Sequence, residues 1–305
     1  MGEDTKVILV TRRTRLEALV AQYNTEAQAE FVIQSRGGDF KDYKAEFTAY
    51  QQSVIQVEAE LRGSARLHRI EREFLPNFIF GPRDIVVVVG QDGLVANTLK
   101  YLSGQPVIAI NPDPGRFDGV LLPFSVADMK TVFADVVQGS HQSKQITMAK
   151  ASLNDGQELI AVNDFFIGPR YQISARYEIS VDGHSEQQSS SGVIVSTGLG
   201  SSGWMKSVVT GAAAVTDSKE GKALEPMEWN SDYLRFAIRE PFPSNTSGTE
   251  LVFGILENQA VLEVSSLMAE NGVIFSDGMV EDVIAFNSGS KVAIGVSEHK
   301  GLIVV

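Results

Sequence analysis

Five β-branched residues follow one another without interruption in IVVVV, residues 85–89. A strand with no polar face is buried on both sides, and that burial belongs to a parallel sheet covered by helices on each face. The run stops at Gly90-Gln91-Asp92-Gly93, and residues 94–102 read as a helix. In an open α/β sheet, ligands bind in the crevice outside the carboxyl ends of the strands. Asp92 therefore stands where a catalytic carboxylate would be placed. Gly90 and Gly93 would let the backbone approach a phosphate closely, and Gln91 and Asn97 are counted with them as nucleotide-binding candidates. The same residues also read as a plain strand-to-helix turn with Asp92 as its N-cap.

KVILV (6–10) is a further buried strand and QPVIAIN (105–111) another, with TRLEALVAQY a helix after the first. Strands alternating with helices predict a parallel α/β sheet. Between the first two strands, Phe40, Tyr43, Phe47, Tyr50, Val54, Val57 and Leu61 recur every three or four residues. They form an apolar stripe on a helix of about 22 residues, roughly 33 Å long. Two readings stand: a long helix packed on its own domain, or an arm that pairs with another subunit. Arg66, Arg69 and Arg72 read as a solvated helix face, whereas Arg116, after the third strand, is the basic candidate for a phosphate contact.

At 305 residues the chain is long enough for two domains. Its formal charge of −12 argues against nucleic acid as a partner. It leaves a nucleotide ligand open, because backbone N–H groups, a few cations and Mg²⁺ hold phosphates in acidic proteins. No apolar run reaches the ~18–20 residues of a membrane span. The N-terminus lacks the pattern of a signal peptide, and Gly2 is not expected to be myristoylated. The absence of cysteine fits a cytoplasmic protein. His68, His141, His184 and His299 show no metal-ligand spacing, so the metal ligands stay unassigned.

After about residue 124 the texture changes to short alternating runs with turn signals. QITMAKAS and ELIAVND flank Asn154-Asp155-Gly156, and SARYEISV precedes Asp182-Gly183. This predicts antiparallel sheets, a sandwich or a stack. SEQQSSSG reads as a strand end plus loop. GVIVSTGLGSSGWMKSVVTGAAA (192–214) enters a glycine- and hydroxyl-rich turn from a strand and leaves by a helix. Its literal G-x-G-x-x-G lacks the βαβ context of a dinucleotide fold. Thr197, Gly200, Ser201 and Ser202 still read as a phosphate or nucleotide cradle at a helix N-terminus, with a tight capped turn as the alternative. Asn163-Asp164 sits in or at the end of a strand, where neighbouring side chains share one ligand only if the strand is interrupted or edges a cleft. Asp277-Gly278 reads as a turn between strands.

Taken in order, these segments resemble the NAD kinase family. Gly90-Gln91-Asp92-Gly93-Leu94 is similar to the family's GGDGT motif, with Gln91 in place of a glycine and Leu94 in place of the threonine. Asn163-Asp164 is similar to its Asn-Glu pair, and Thr197-Gly198-Leu199-Gly200-Ser201-Ser202-Gly203-Trp204 to its TPTGSTAY segment. Asp277-Gly278 is similar to its late Asp-Gly turn, and Asn111 with the glycines up to Gly119 to its third-strand exit. The resemblance covers Lys6 to about Val296. It implies an N-terminal Rossmann-like parallel-sheet domain (1–125, with a helical insertion near 25–75), a β-rich, sandwich-like NAD-binding domain (126–305) and a nucleotide site between them.

The activity it implies is phosphorylation of NAD at the adenosine ribose 2′-hydroxyl to give NADP, with Mg²⁺ and ATP or polyphosphate as donor. By the same resemblance Asp92 is catalytic. Asn163, Asp164 and Asp277 bind NAD. Asn111, Arg116 and Thr197 to Ser202 line the nucleotide, and the protein is a homodimer or homotetramer. The insertion is a candidate to cover a surface that a C-terminal helix covers in the family. A kinase of another small molecule, sugar or lipid, on the same scaffold and a non-catalytic nucleotide-binding protein are the alternatives.

Overall fold

The computed structural model describes residues 5–215, 225–257 and 259–305; the reading of Gly2 lies outside them. The chain divides into two units, Met1–Lys144 with Leu302–Val305, and Gln145–Gly301.

In chain order the first unit holds β1 (Lys6–Thr11), α1 (Arg15–Tyr23), α2 (Glu26–Ser35), α3 (Phe40–Arg62) and β2 (Arg66–Glu71). It continues with β3 (Ile85–Val89), α4 (Asp92–Leu99), β4 (Pro106–Asn111), β5 (Phe124–Ser125) and α5 (Met129–Gln138). The strands run parallel in the order β2-β1-β3-β4, with the C-terminal Leu302 and Ile303 beside Pro106 and Val107 of β4. All five residues of β3 are buried, as its sequence requires. One face of this sheet, with Val7, Leu9, Val87, Val89, Ile108 and Ile110, packs against Tyr50, Val54, Val57 and Leu61 of α3 and Met129, Phe133 and Val136 of α5. Burying side chains of this size contributes roughly 1.5–3 kcal/mol each.

Three expectations change here. The apolar stripe of α3 is spent within its own unit: Phe40, Tyr50, Val54, Val57 and Leu61 are buried, and Tyr43 and Phe47 pack with α1 and α2. The arm reading therefore falls. Arg66 and Arg69 lie not on a helix face but on β2, a strand whose outer positions are charged, as is usual at a sheet edge. The boundary expected at 125/126 falls after α5 instead, because that helix's apolar face completes the first unit's core.

The second unit continues with β6 (Ser143–Leu153), β7 (Glu158–Ala161), β8 (Asp164–Pro169), β9 (Ala175–Val181), β10 (His184–Ser190), β11 (Gly192–Ser196) and α6 (Trp204–Val215). Then come β12 (Leu234–Arg239), β13 (Phe253–Leu256), β14 (Leu262–Ser266), β15 (Gly272–Ser276), β16 (Ile284–Ala285) and β17 (Lys291–Val304). One antiparallel set runs β10-β9-β14-β17, with β6 beside β17 and β7 beside β6. The other runs β13-β12-β11-β8-β15-β16. Phe165, Ile167, Val193, Val195 and Phe236 of the second set meet Tyr177, Ile179, Val264 and Ile294 of the first in one core, which makes the unit a sandwich.

Both expected hairpins form. β6 and β7 close through Gly156 at φ +87°, and β9 and β10 through Asp182 and Gly183, both at positive φ. SEQQSS is a full strand rather than a strand end. The fully buried Tyr177 hydroxyl donates to Gln188 Oε1 at 2.9 Å and lies 2.8 Å from Ser190 Oγ, so these polar side chains complete an interior bond network. KVAIGV and GLIVV, two runs in the sequence, are one 14-residue strand, β17.

The hydroxyl of Tyr50 accepts from the Arg12 N–H and donates to the Val89 carbonyl, each at 2.9 Å. Tyr50→Phe leaves both backbone groups without that partner. It is expected to destabilise the protein by ~1–3 kcal/mol, read as a lower urea midpoint with unchanged slope. An unchanged midpoint would show that the hydroxyl is dispensable.

Candidate functional site

The first group of candidates surrounds the exit of β3. Because β2 and β3 flank β1 on opposite sides, the strand order reverses there, and the crevice at the carboxyl ends of β1 and β3 is the place where such sheets bind ligands. In this chain α3 fills much of it. Tyr50 bridges the ends of the two strands, Ser53 donates to the Pro112 carbonyl after β4 at 2.9 Å, and Glu46 pairs with Arg12 and Arg15. None of these α3 contacts has a sequence signature beyond the spacing of the stripe.

Asp92 is the first residue of α4, not its N-cap. Gln91 takes that place with an extended backbone and no side-chain capping bond. Instead, Asp92 Oδ1 accepts the Leu121 N–H at 2.7 Å, which ties the exit of β3 to the loop after β4. Its other carboxylate oxygen has no partner among the described residues, and the side chain is half-exposed. Gly93 faces open space, and the first N–H groups of a helix lack intrahelical acceptors, so donors are available here. Gly90 serves packing: a Cβ there would meet Leu94 Cδ2 at 2.7 Å. Leu94 is buried, so the family's threonine position is turned into the core.

Asn111 shapes the loop that supplies the Leu121 amide. Its Oδ1 accepts from Asp113 N–H and its Nδ2 donates to the Phe117 carbonyl, both at 3.0 Å. Gly119, at φ +66°, passes so close that a Cβ would meet Asn111 Nδ2. Arg116 Nη1 pairs with Asp42 of α3 at 2.7 Å and its Nε with Asp113 at 3.4 Å. The Arg15 and Arg116 guanidiniums hold the Asp42 carboxyl below its ordinary range. Asn97 is buried on α4 and accepts from Arg72 Nε at 2.7 Å.

The second group lies in the sandwich unit. Asn163 and Asp164 occur where the chain breaks between β7 and β8, so of the two conditions under which they could share a ligand, an interrupted strand is the one present. Thr197 is fully buried. Its Oγ1 donates to the Val162 carbonyl at 2.6 Å and its N–H to the Asn163 carbonyl at 2.9 Å. Ser201, also buried, donates to the Gly198 carbonyl at 2.7 Å and accepts the Met227 N–H at 2.8 Å. These two hydroxyls brace the turn, whereas Ser202 is exposed. Gly200 opens the turn Gly200–Ser202, and a Cβ on it would lie 2.8 Å from Asp164 Oδ1. Trp204 stacks on Phe166 at 5.7 Å and starts α6.

The residue Asp164 is half-exposed, but its Oδ1 is buried without a hydrogen-bond partner. Burial pushes its pKa up to about 7; the Ser196 hydroxyl opposes this and the charge of Asp277 adds to it. Asp277 is found beside it, its carboxylate bonded to the N–H groups of residues 162–164. An open cavity of about 1030 Å³ lies at the far end of β8, lined by Pro169, Arg170, Tyr171, Ser191, Arg239 and Phe242; none of the sequence candidates lines it.

A parallel α/β unit with a carboxylate at a strand exit, and an antiparallel sandwich with a polar break in one strand, define the class of fold. No family model matches the chain. It is similar to an NAD kinase of Saccharophagus degradans, 27% identical over 150 residues, which is 47% of this chain and 50% of that protein. The match thus spans about half the length of that curated relative. Among solved structures, an NAD kinase from Archaeoglobus fulgidus in complex with ATP superposes with a TM-score of 0.59 at 17% identity, over 99% of this chain and 94% of the other. Yeast NADH kinase complexed with NADH superposes at 0.61 and 13% identity, over 99% and 83%. The chain has the fold of the NAD kinases and resembles them in sequence along part of its length.

The raised pKa of Asp164 has a defined effect on stability. Its ionised form is disfavoured in the fold, so no penalty applies below the ordinary value of 3.8. The penalty grows as pH rises towards about 7 and is constant above. Asp164→Asn is therefore expected to be more stable than wild type at pH 8, with the difference opening between the two values. The advantage should vanish by pH 4, as read from urea midpoints. Equal midpoints across that range would mean that Asp164 ionises normally.

Proposed function

We propose that this protein is a kinase that transfers a phosphoryl group from ATP to the adenosine ribose 2′-hydroxyl of NAD, giving NADP. The observation that carries the reading is the buried Asp164 Oδ1 with no partner, at the break between β7 and β8. A buried acceptor left unpaired costs ~1–3 kcal/mol, and a ribose hydroxyl is a donor of the right kind to satisfy it. Asn163 beside it offers an amide for the adenosine. The sequence resemblance and the shared fold support the same acceptor.

In this reading Asp92 orients or deprotonates the attacking hydroxyl. The Leu121 N–H holds one carboxylate oxygen and leaves the other for the proton. The amides of the first turn of α4 and the open space at Gly93 receive phosphate oxygens. Gln91 contributes an amide side chain at that point, and Leu94 contributes packing only. Arg116 reaches a phosphate by exchanging it for Asp42.

Mg²⁺ neutralises the phosphate charge when bound. Asp92, whose carboxylate has one oxygen bonded to the Leu121 N–H, is the residue that would help to hold the ion. The same reading extends to a homodimer or homotetramer acting in the cytoplasm, with polyphosphate as the alternative donor.

The test is incubation with NAD, ATP and Mg²⁺, with NADP detected by an NADP-specific dehydrogenase. Wild type is expected to form NADP, and Asp92→Asn to lose about 10²–10⁴-fold in rate. Folded wild-type protein that makes no NADP overturns the reading, and equal turnover by Asp92→Asn overturns the role of Asp92.

A further inference from the structure

The break between β7 and β8 would leave a run of backbone groups outside any ladder, so the partners of each identify what holds it. Asp277 Oδ2 accepts the Val162 N–H at 2.8 Å. Its Oδ1 accepts the N–H groups of Asn163 at 2.7 Å and Asp164 at 3.3 Å. The Asp277 N–H donates in turn to the Asp164 carbonyl at 3.2 Å, while Thr197 takes the carbonyls of Val162 and Asn163. Every backbone donor and acceptor of residues 162–164 is thus engaged, and one carboxylate receives all three donors. Successive N–H groups converging on an anion form a nest. Here the anion comes from the protein, and Asp277 adopts the left-handed φ of +53° to deliver it. Ser276 anchors the same loop by donating to the Ile160 carbonyl at 2.8 Å.

We propose that Asp277 is a positioning residue rather than a nucleotide ligand: its carboxylate fixes the backbone that aims Asn163 and Asp164. The inference rests on the reading of that pair as the adenosine and ribose contacts. A carboxylate with three N–H donors already on it has little left to offer a hydroxyl, whereas the neighbouring Asp164 Oδ1 has none. The groups acting on Asp164 are its burial, the Ser196 hydroxyl and the charge of Asp277.

The test uses the full chain and two variants. Asp277→Asn keeps the shape, removes the charge and sets an amide NH₂ against one backbone N–H. It is expected to raise KM for NAD about tenfold with kcat within about twofold. The carboxyl ¹³C titration midpoint of Asp164 should fall, and the amides of 162–164 should exchange faster. Asp277→Glu keeps the charge but displaces it by one methylene. It should raise KM while leaving the Asp164 midpoint high, a split that a merely structural residue would not produce.

In wild type, protection of the three amides should disappear as Asp277 is protonated in acid, a readout that needs neither variant. Unchanged KM and an unchanged Asp164 midpoint in folded Asp277→Asn overturn the proposal, as does amide protection that ignores the protonation of Asp277. Failure of wild type to phosphorylate NAD would sink the functional reading alone. The titration and exchange measurements need no substrate and decide the positioning role either way.

Discussion

A strand buried along both faces can present chemistry only at its ends. β3 is such a strand, with every side chain buried, and the arrangement around it follows from that constraint. Its carbonyl end must be satisfied in a crevice that the strand order opens between β1 and β3. The chain meets this with α3, whose Tyr50 hydroxyl takes an amide at the end of β1 and gives to the last carbonyl of β3. Ser53 does the same for the carbonyl of Pro112. The insertion thereby closes the ends of β1 and β3 and the turn after β4. Asp92 is held by the Leu121 amide.

What the sequence made legible was local. The valine run, the hairpin turns at Asp155-Gly156 and Asp182-Gly183 and the period of α3 all express a pattern within a few residues, and each reads correctly. What it hid depended on a distant partner. β2 carries charges because it lies at a sheet edge, and nothing in RLHRIE distinguishes such a strand from a solvated helix face. Gln188 and Ser190 look like loop residues until Tyr177 is placed against them. The stripe of α3 was clear, but the sheet that receives it was not, so pairing with another subunit stayed open beside packing on its own domain.

The candidate site divides in the same way. The resemblance singles out Asn163-Asp164 and Asp277, while the division of labour proposed for them depends on hydrogen bonds whose donors are backbone amides. Such donors are the same in every residue and leave no mark in a sequence. The Leu121 amide on Asp92 is the same case. Arg116 stood out as a cation near a strand exit, yet Asp42, 74 residues earlier, already neutralises it.

Three aspartates then differ in the donors that reach them. Asp277 receives three backbone N–H bonds. Asp92 has one such bond and contact with solvent, so an oxygen stays available. Asp164 has a buried oxygen with none, and burial disfavours its charge. That last arrangement costs free energy in the empty protein and survives because its surroundings outweigh it. The next residues of β8 are buried, Phe165 and Ile167 inside the sandwich and Phe166 on the other face against Met205 and Trp204, each contributing roughly 1.5–3 kcal/mol, more together than one unpaired acceptor takes away. In the proposed reading, a strand carrying a destabilised acceptor at its first residue is organised in advance, and a ligand donor placed there recovers what folding gave up.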